Sequence, residues 1–230
     1  GEQILLEGDV RLQQLNGSKL LIQGDRLRWR PEQGRLLIEQ RPRATEKDSR
    51  ISASEAELLQ QTNDLTLKGV VLLERWSKTS GPSNPDTTLR TGIAQWNLDS
   101  GLLSAVGPVL AQRRDREGTV LEQLQGRALQ GNTQAGDLMI QAPVVMRMPR
   151  QKGVLQALDT TWNFRTQTVR TEKPFEAELG NTRIDGQSFQ AELEKTTVVV
   201  NGDCRIQQPG ESLNARTCRW NWGTEEVLAE

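Results

Sequence analysis

Apolar and polar positions alternate along most of the chain, and the alternation returns in seven copies of one pattern. The copies begin at Ile22, Ile51, Leu89, Leu124, Leu155, Ile184 and Leu213, all aliphatic. Two positions later each has a small residue: Gly24, Ala53, Thr91, Gly126, Ala157, Gly186 or Ala215. Seven positions after the start stand Trp29, Leu58, Trp96, Gly131, Trp162, Ala191 and Trp220. Fourteen positions after it the residue is again aliphatic: Leu36, Leu65, Leu103, Leu138, Val169, Val198 and Val227. Turn-forming stretches such as Arg30-Pro31-Glu32-Gln33-Gly34 and Asn97-Leu98-Asp99-Ser100-Gly101 separate the last two marks, so each copy reads as a hairpin.

The second strand of each hairpin alternates simply, as in Leu65, Leu67, Gly69, Val71, which predicts one buried and one wet face. The first strand changes parity between its third and sixth residues, while residues such as Ser52, Glu57, Gln156 and Thr161 keep the other face polar. A side-chain period of two accommodates that only through a bulge or bend near the third or fourth residue. Repeated bends of one kind curl a sheet. With the strand at Ile4 to Leu12 added, the pattern predicts an all-β fold: a single antiparallel coiled β-jellyroll, an open β-roll, of about fifteen strands. Longer connections at 75–88, 112–123 and 147–152 leave the repeat in phase, so residues 1–230 are expected to form one domain. The chain opens and stops inside strand-like patterns and has no apolar run long enough for a spanning helix, so it reads as an ectodomain excised from a longer protein.

Composition narrows the function classes. Lys plus Arg is 29 and Asp plus Glu is 30, and no basic stripe interleaves with aromatics, so nucleic acid is not an expected partner. Histidine is absent, which removes Ser-His-Asp and Cys-His nucleophiles and the commonest metal ligand. No P-loop, GxGxxG or EF-hand spacing occurs, and the paired carboxylates Glu225 and Glu226, adjacent on a strand, point to opposite faces. No enzymatic activity, metal or cofactor is therefore expected.

Cys204 and Cys218 flank the turn-rich 208–212 and invite a disulfide, the alternative being two buried reduced thiols. Both fall at inward positions of the repeat. A connecting turn centred near Glu211 would set them directly opposite one another. Asn16-Gly17-Ser18 matches both a glycosylation sequon and a hairpin turn, the turn being preferred.

The segments ISASEAELLQQTNDLTLKGVVLLE (51–74) and IDGQSFQAELEKTTVVVNGDCRI (184–206) resemble the OstA-like repeat of the lipopolysaccharide-transport family that comprises LptA, LptC and the N-terminal part of LptD. The closing pattern stands as Gly8-Asp9-Val10, Gly69-Val70-Val71, Gly107-Pro108-Val109 and Gly202-Asp203-Cys204, and the likeness spans Ile4 to Glu230. It is strongest to the LptC branch, including its extended cyanobacterial form. The resemblance implies a non-catalytic periplasmic conduit, held to the inner membrane by an N-terminal anchor outside this chain. Such a conduit takes lipopolysaccharide from an inner-membrane ABC transporter complex and joins an LptA-like jellyroll bridge by edge-strand pairing.

On that reading the lipid groove is lined by Trp29, Leu36, Leu58, Leu65, Trp96, Leu103, Leu129, Leu138, Trp162, Val169, Phe189 and Val198. The partner edges carry Ile4, Leu6, Val10 and Val227. Tryptophans that fill a core and tryptophans that line a groove look alike at this level. The basic groups Arg113, Arg114, Arg116 and Arg147, Arg150, Lys152 are either solvated loop charge or headgroup contacts. The rival reading is a structural or adhesive β-solenoid-like protein with a fully packed core and no lipid.

Overall fold

The computed structural model describes residues 2–13, 20–77, 80–224 and 226–229. The sequon at 16–18 and Glu225 lie outside the described residues. The chain packs as two compact units, Gly1–Thr119 and Val120–Glu230. Among the described residues both are built from antiparallel strands, with short 3-10 turns at Pro31–Gln33 and Pro149–Gln151 as the helical segments.

The first unit holds β1 (Ile4–Gln13), β2 (Leu21–Arg30), β3 (Arg35–Gln40), β4 (Arg43–Glu46), β5 (Ser49–Ser52), β6 (Glu55–Leu59), β7 (Asp64–Arg75), β8 (Thr87–Asn97) and β9 (Leu102–Arg114). Here β2 pairs with β1 on one side and with β3 and β4, end to end, on the other. In turn β3 pairs with β6 and β4 with β5, and both β5 and β6 pair with β7. The unit continues through β8 to β9.

The second unit repeats the scheme. It holds β10 (Val120–Asn132), β11 (Asp137–Ile140), β12 (Val144–Met148), β13 (Gly153–Ala157), β14 (Thr160–Asn163), β15 (Thr168–Thr171) and β16 (Phe175–Leu179). After these come β17 (Thr182–Gly186), β18 (Ser188–Glu192), β19 (Thr197–Gln208), β20 (Glu211–Asn221) and β21 (Glu226–Ala229). Six long strands are interrupted at mid-length and appear as the pairs β3/β4, β5/β6, β11/β12, β13/β14, β15/β16 and β17/β18. Joining each pair gives the fifteen strands that the repeat predicts.

Three bulges fall beside the residue where the change of parity places a bend, with the extra residue in the strand that pairs with the first strand. In the pairing of β1 with β2, Gly8 and Asp9 oppose Asp25 alone; between β7 and β8, Gly69 and Val70 oppose Gly92; between β19 and β20, Gly202 and Asp203 oppose Arg216. Asp25, Gly92 and Arg216 are each the fourth residue of a copy. Gly8, Gly69, Gly107 and Gly202 have φ between 72° and 103°, a region open to glycine and strained for other residues.

The small residue two positions into each copy has a steric cause. A Cβ added at Gly24, Gly126 or Gly186 would come within 2.2–2.4 Å of a methyl carbon of Ile38, Ile140 or Val200 respectively. Each of those partners stands sixteen positions into the same copy. In the third copy, where Thr91 takes the glycine's place, the sixteenth position is Ala105.

Candidate functional site

The marks read along the sequence become rows across the sheet. In the first unit a chain of backbone partners runs Ile4, Trp29, Leu36, Leu58, Leu65, Trp96, Leu103. In the second it runs Gly131, Leu138, Trp162, Val169, Ala191, Val198, Trp220, Val227. The starting residues make a second row beyond the bends: Leu12, Ile22, Ala44, Ile51, Leu73, Leu89, Ala111 in one unit. Its counterpart is Leu124, Met146, Leu155, Ala177, Ile184, Ile206, Leu213. Directly opposed side chains on one face touch, so each row is a continuous apolar strip across its unit.

These strips are the inner face. Leu36, Leu58, Leu65, Trp96, Leu103, Leu138, Trp162 and Val169 are buried on it, while Trp29 and Val198 are half-buried. Leu129 and Phe189 are also buried, but they stand off the tryptophan row, opposite Ile140 and Val200. Within the second unit the face closes on itself. Phe175 and Phe189 pack edge to face with ring centroids 4.8 Å apart, as do Trp220 and Trp222 at 6.4 Å. The apolar cavity among Met146, Leu155, Phe175, Phe189, Val200 and Trp220 measures about 40 Å³. That is an order of magnitude below the 300–1,000 Å³ common for small-molecule sites.

β1 in the first unit and β21 in the second, each paired with one strand among the described pairings, are more exposed than the strips. On β1 the inward residues Ile4 and Val10 are half-buried, and Leu6 is 37% exposed. On β21 Val227 and Leu228 are 37% and 68% exposed. Among the described pairings β21 joins only β20, through Cys218 to Asn221, which leaves the Glu211 end of β20 without a neighbour on that side.

Cys204 and Cys218 form the disulfide, both buried on the inner face. They are not directly opposite. The turn is the tighter Pro209-Gly210, closed by the pair Gln208 and Glu211, so Cys204 faces Ala215; the bulge at Gly202-Asp203 then shifts the register, and Cys218 faces Val200. The bond runs diagonally across the bulge with the Cα atoms 6.0 Å apart.

Sequence reading missed one further repeat mark, eight positions into the copy. Asn97, Asn132, Asn163 and Asn221 each accept backbone N–H bonds through Oδ1 from the residues two or three further on, at 2.8–3.2 Å. Asn97 and Asn163 also donate through Nδ2 to Asp64 and Asp137, at 2.8 and 3.1 Å. These side chains fix the turns beside the tryptophan row. The thrice-repeated Trp-Asn dipeptide was the available signal.

The ion pairs lie among exposed and half-buried side chains, while Glu122 is buried. Arg50 meets Glu74 at 2.8 Å, Arg75 meets Asp48 at 3.0 Å, Arg205 meets Asp185 at 3.1 Å, and Arg41 meets Asp25. The hydrogen bond from Arg11 draws the Asp9 carboxyl below its ordinary range, the bonds from Asn97 and Thr62 do the same at Asp64, and the Asp25 bond raises Arg41. The guanidinium of Arg114 is spent on the Gly118 carbonyl and Gln112 at 3.0 and 2.9 Å, where it closes its own loop. Among the described residues no group of His, Cys, Asp and Glu is placed to hold a metal, and no helix is long and apolar enough to cross a membrane.

No family model and no curated protein matches the chain. Among solved structures it is similar to LptH of Pseudomonas aeruginosa, described as the LptA homologous periplasmic component of the lipopolysaccharide transport device. The two are 12% identical with a TM-score of 0.29, over 65% of this chain and 85% of that one. A likeness of that size carries no argument about this chain.

Proposed function

We propose that this chain is a non-catalytic periplasmic lipid conduit. It holds the acyl chains of lipopolysaccharide or a related lipid on its inner face and passes them from an inner-membrane ABC transporter complex toward the outer membrane. The observation that carries this reading is the pair of uninterrupted apolar strips in each unit, joined to the OstA-like repeat from which they are built. Apolar contact worth roughly 25 cal/mol per Å² holds an acyl chain without fixing its position along a strip. Sliding from rung to rung changes the buried area little, so direction comes from the transporter. The proposal takes 1–230 as one conduit, anchored to the inner membrane in the full-length protein and joined to an LptA-like jellyroll through the strands at Ile4 and Val227.

The small cavity of the second unit favours a second reading, a packed structural β-roll without cargo. The two separate cleanly. A photo-crosslinking residue at Leu103 or Leu138 captures lipopolysaccharide if the strips are the lipid path, and one at outward-facing Glu57 or Gln95 does not. Equal capture at both kinds of position, or none at either, rejects the conduit.

A further inference from the structure

Among the described residues the inner face has buried donors with no hydrogen-bond partner in the chain: the hydroxyls of Thr87 and Thr91, and two indoles on the tryptophan rows. The indole Nε1–H groups of Trp96 and Trp162 are buried, in residues 9% and 4% exposed, and neither has a hydrogen-bond partner in the protein. Buried donors are nearly always satisfied, so each such exception asks for a reason. The two occupy the same repeat position, one in each unit. Both stand between aliphatic residues on the neighbouring strands, Leu65 and Leu103 around Trp96, Leu138 and Val169 around Trp162. Trp29, at the same repeat position, differs: its Nε1–H donates to Gln60 Oε1 at 3.1 Å.

We propose that Trp96 and Trp162 donate to acyl carbonyl oxygens of the cargo, so that the tryptophan rows read the ester or amide linkage where a fatty chain joins its headgroup. This rests on the conduit reading above. An indole N–H is a donor only, so its partner must bring an acceptor. The surroundings decide which one. Phosphate or carboxylate oxygens would have to shed their hydration among these leucines and a valine, whereas a neutral carbonyl oxygen enters at little loss and satisfies the donor. Hydrocarbon alone would leave both donors unsatisfied. The strips then have two kinds of position: aliphatic rungs over which chains slide, and two indoles that recognise the carbonyl end.

The test is the NMR spectrum of ¹⁵N-tryptophan protein titrated with lipid A and with a carbonyl-free analogue whose chains are ether-linked. Indole signals are assigned from Trp29→Phe, Trp96→Phe and Trp162→Phe. The Trp96 and Trp162 indole protons are expected to move downfield with lipid A and not with the ether analogue, while Trp29 shows no such difference. If lipid A binds and shifts other signals without these two, if the ether analogue moves them equally, or if they are already hydrogen-bonded to water without lipid, the carbonyl assignment is overturned and the conduit stands. If lipid A perturbs no signal at all, the conduit reading fails and takes this inference with it.

Discussion

Cys204 on β19 is bonded to Cys218 on β20 across the Gly202-Asp203 bulge, not across a rung of the ladder. The bond therefore ties together the two halves of a bent strand as well as two neighbouring strands. With fourteen positions between the cysteines, the chain-entropy view of a crosslink gives a stabilisation of about 3 kcal/mol. Reduction, or Cys204→Ala with Cys218→Ala, should lower the denaturation midpoint by a corresponding amount and loosen β20 and β21 first. Hydrogen exchange reads that order. Uniform loosening of the whole second unit would show that the bond does not act locally.

Gly186 marks the tightest point of another bend, where a Cβ would lie 2.4 Å from Val200. Gly186→Val should cost about 1–3 kcal/mol through overpacking. Pairing it with Val200→Ala should recover part of the loss, as the third copy combines Thr91 with Ala105 at the corresponding positions. Urea unfolding of the single and double variants checks this. An additive double variant would mean that the two positions do not press on each other.

Asp64 provides a pH handle. Its carboxylate accepts the Asn97 and Thr62 bonds, and its folded pKa lies below the unfolded value. The sign follows: the contribution is complete above the unfolded pKa of about 4 and disappears as the pH falls through the folded one. Asp64→Asn should therefore be less stable than the parent at pH 6, with the gap closing in acid. Thermal midpoints at several pH values measure it, and a gap that stays constant or widens in acid contradicts the assignment.

The outermost strands give the assembly prediction. Exposed strand edges pair readily with other sheets, and β1 and β21 carry exposed Leu6, Val227 and Leu228. Proline at Leu6 or at Val227 should weaken association with a jellyroll partner while the fold survives, because each sits on an outer strand. Cosedimentation or interferometry with that partner decides it. Normal binding by both folded variants ends the edge model.

Much of this organisation was legible in the sequence because it is periodic. Trp29, Leu36 and Leu58 recur at fixed offsets, and fixed offsets become straight rows once every hairpin bends at the same residue. The change of parity in the first strand foretold a bulge beside its fourth residue, although the extra residue stands in the partner strand, at Gly8-Asp9 and Gly69-Val70. Other features depend on one-residue differences that periodicity does not reveal. The Cys204 to Cys218 register turned on whether the turn was Pro209-Gly210 or centred near Glu211. The Asn97 and Asn163 turns were hidden because polar residues between strands carry little pattern. The closing of the inner face around Phe175 and Phe189 depends on side-chain volumes, which an apolar pattern does not contain.

The account's central claim is that acyl chains lie along the inner strips. Fluorescence quenching by lipid A with brominated chains tests it most directly, in variants that keep tryptophan only at position 96 or only at position 162, the others replaced by phenylalanine. Bromine quenches an indole only at contact. The conduit predicts saturable quenching at both positions, matched to the binding isotherm. Bound lipid that leaves both indoles unquenched would place it elsewhere on the protein and contradict the claim.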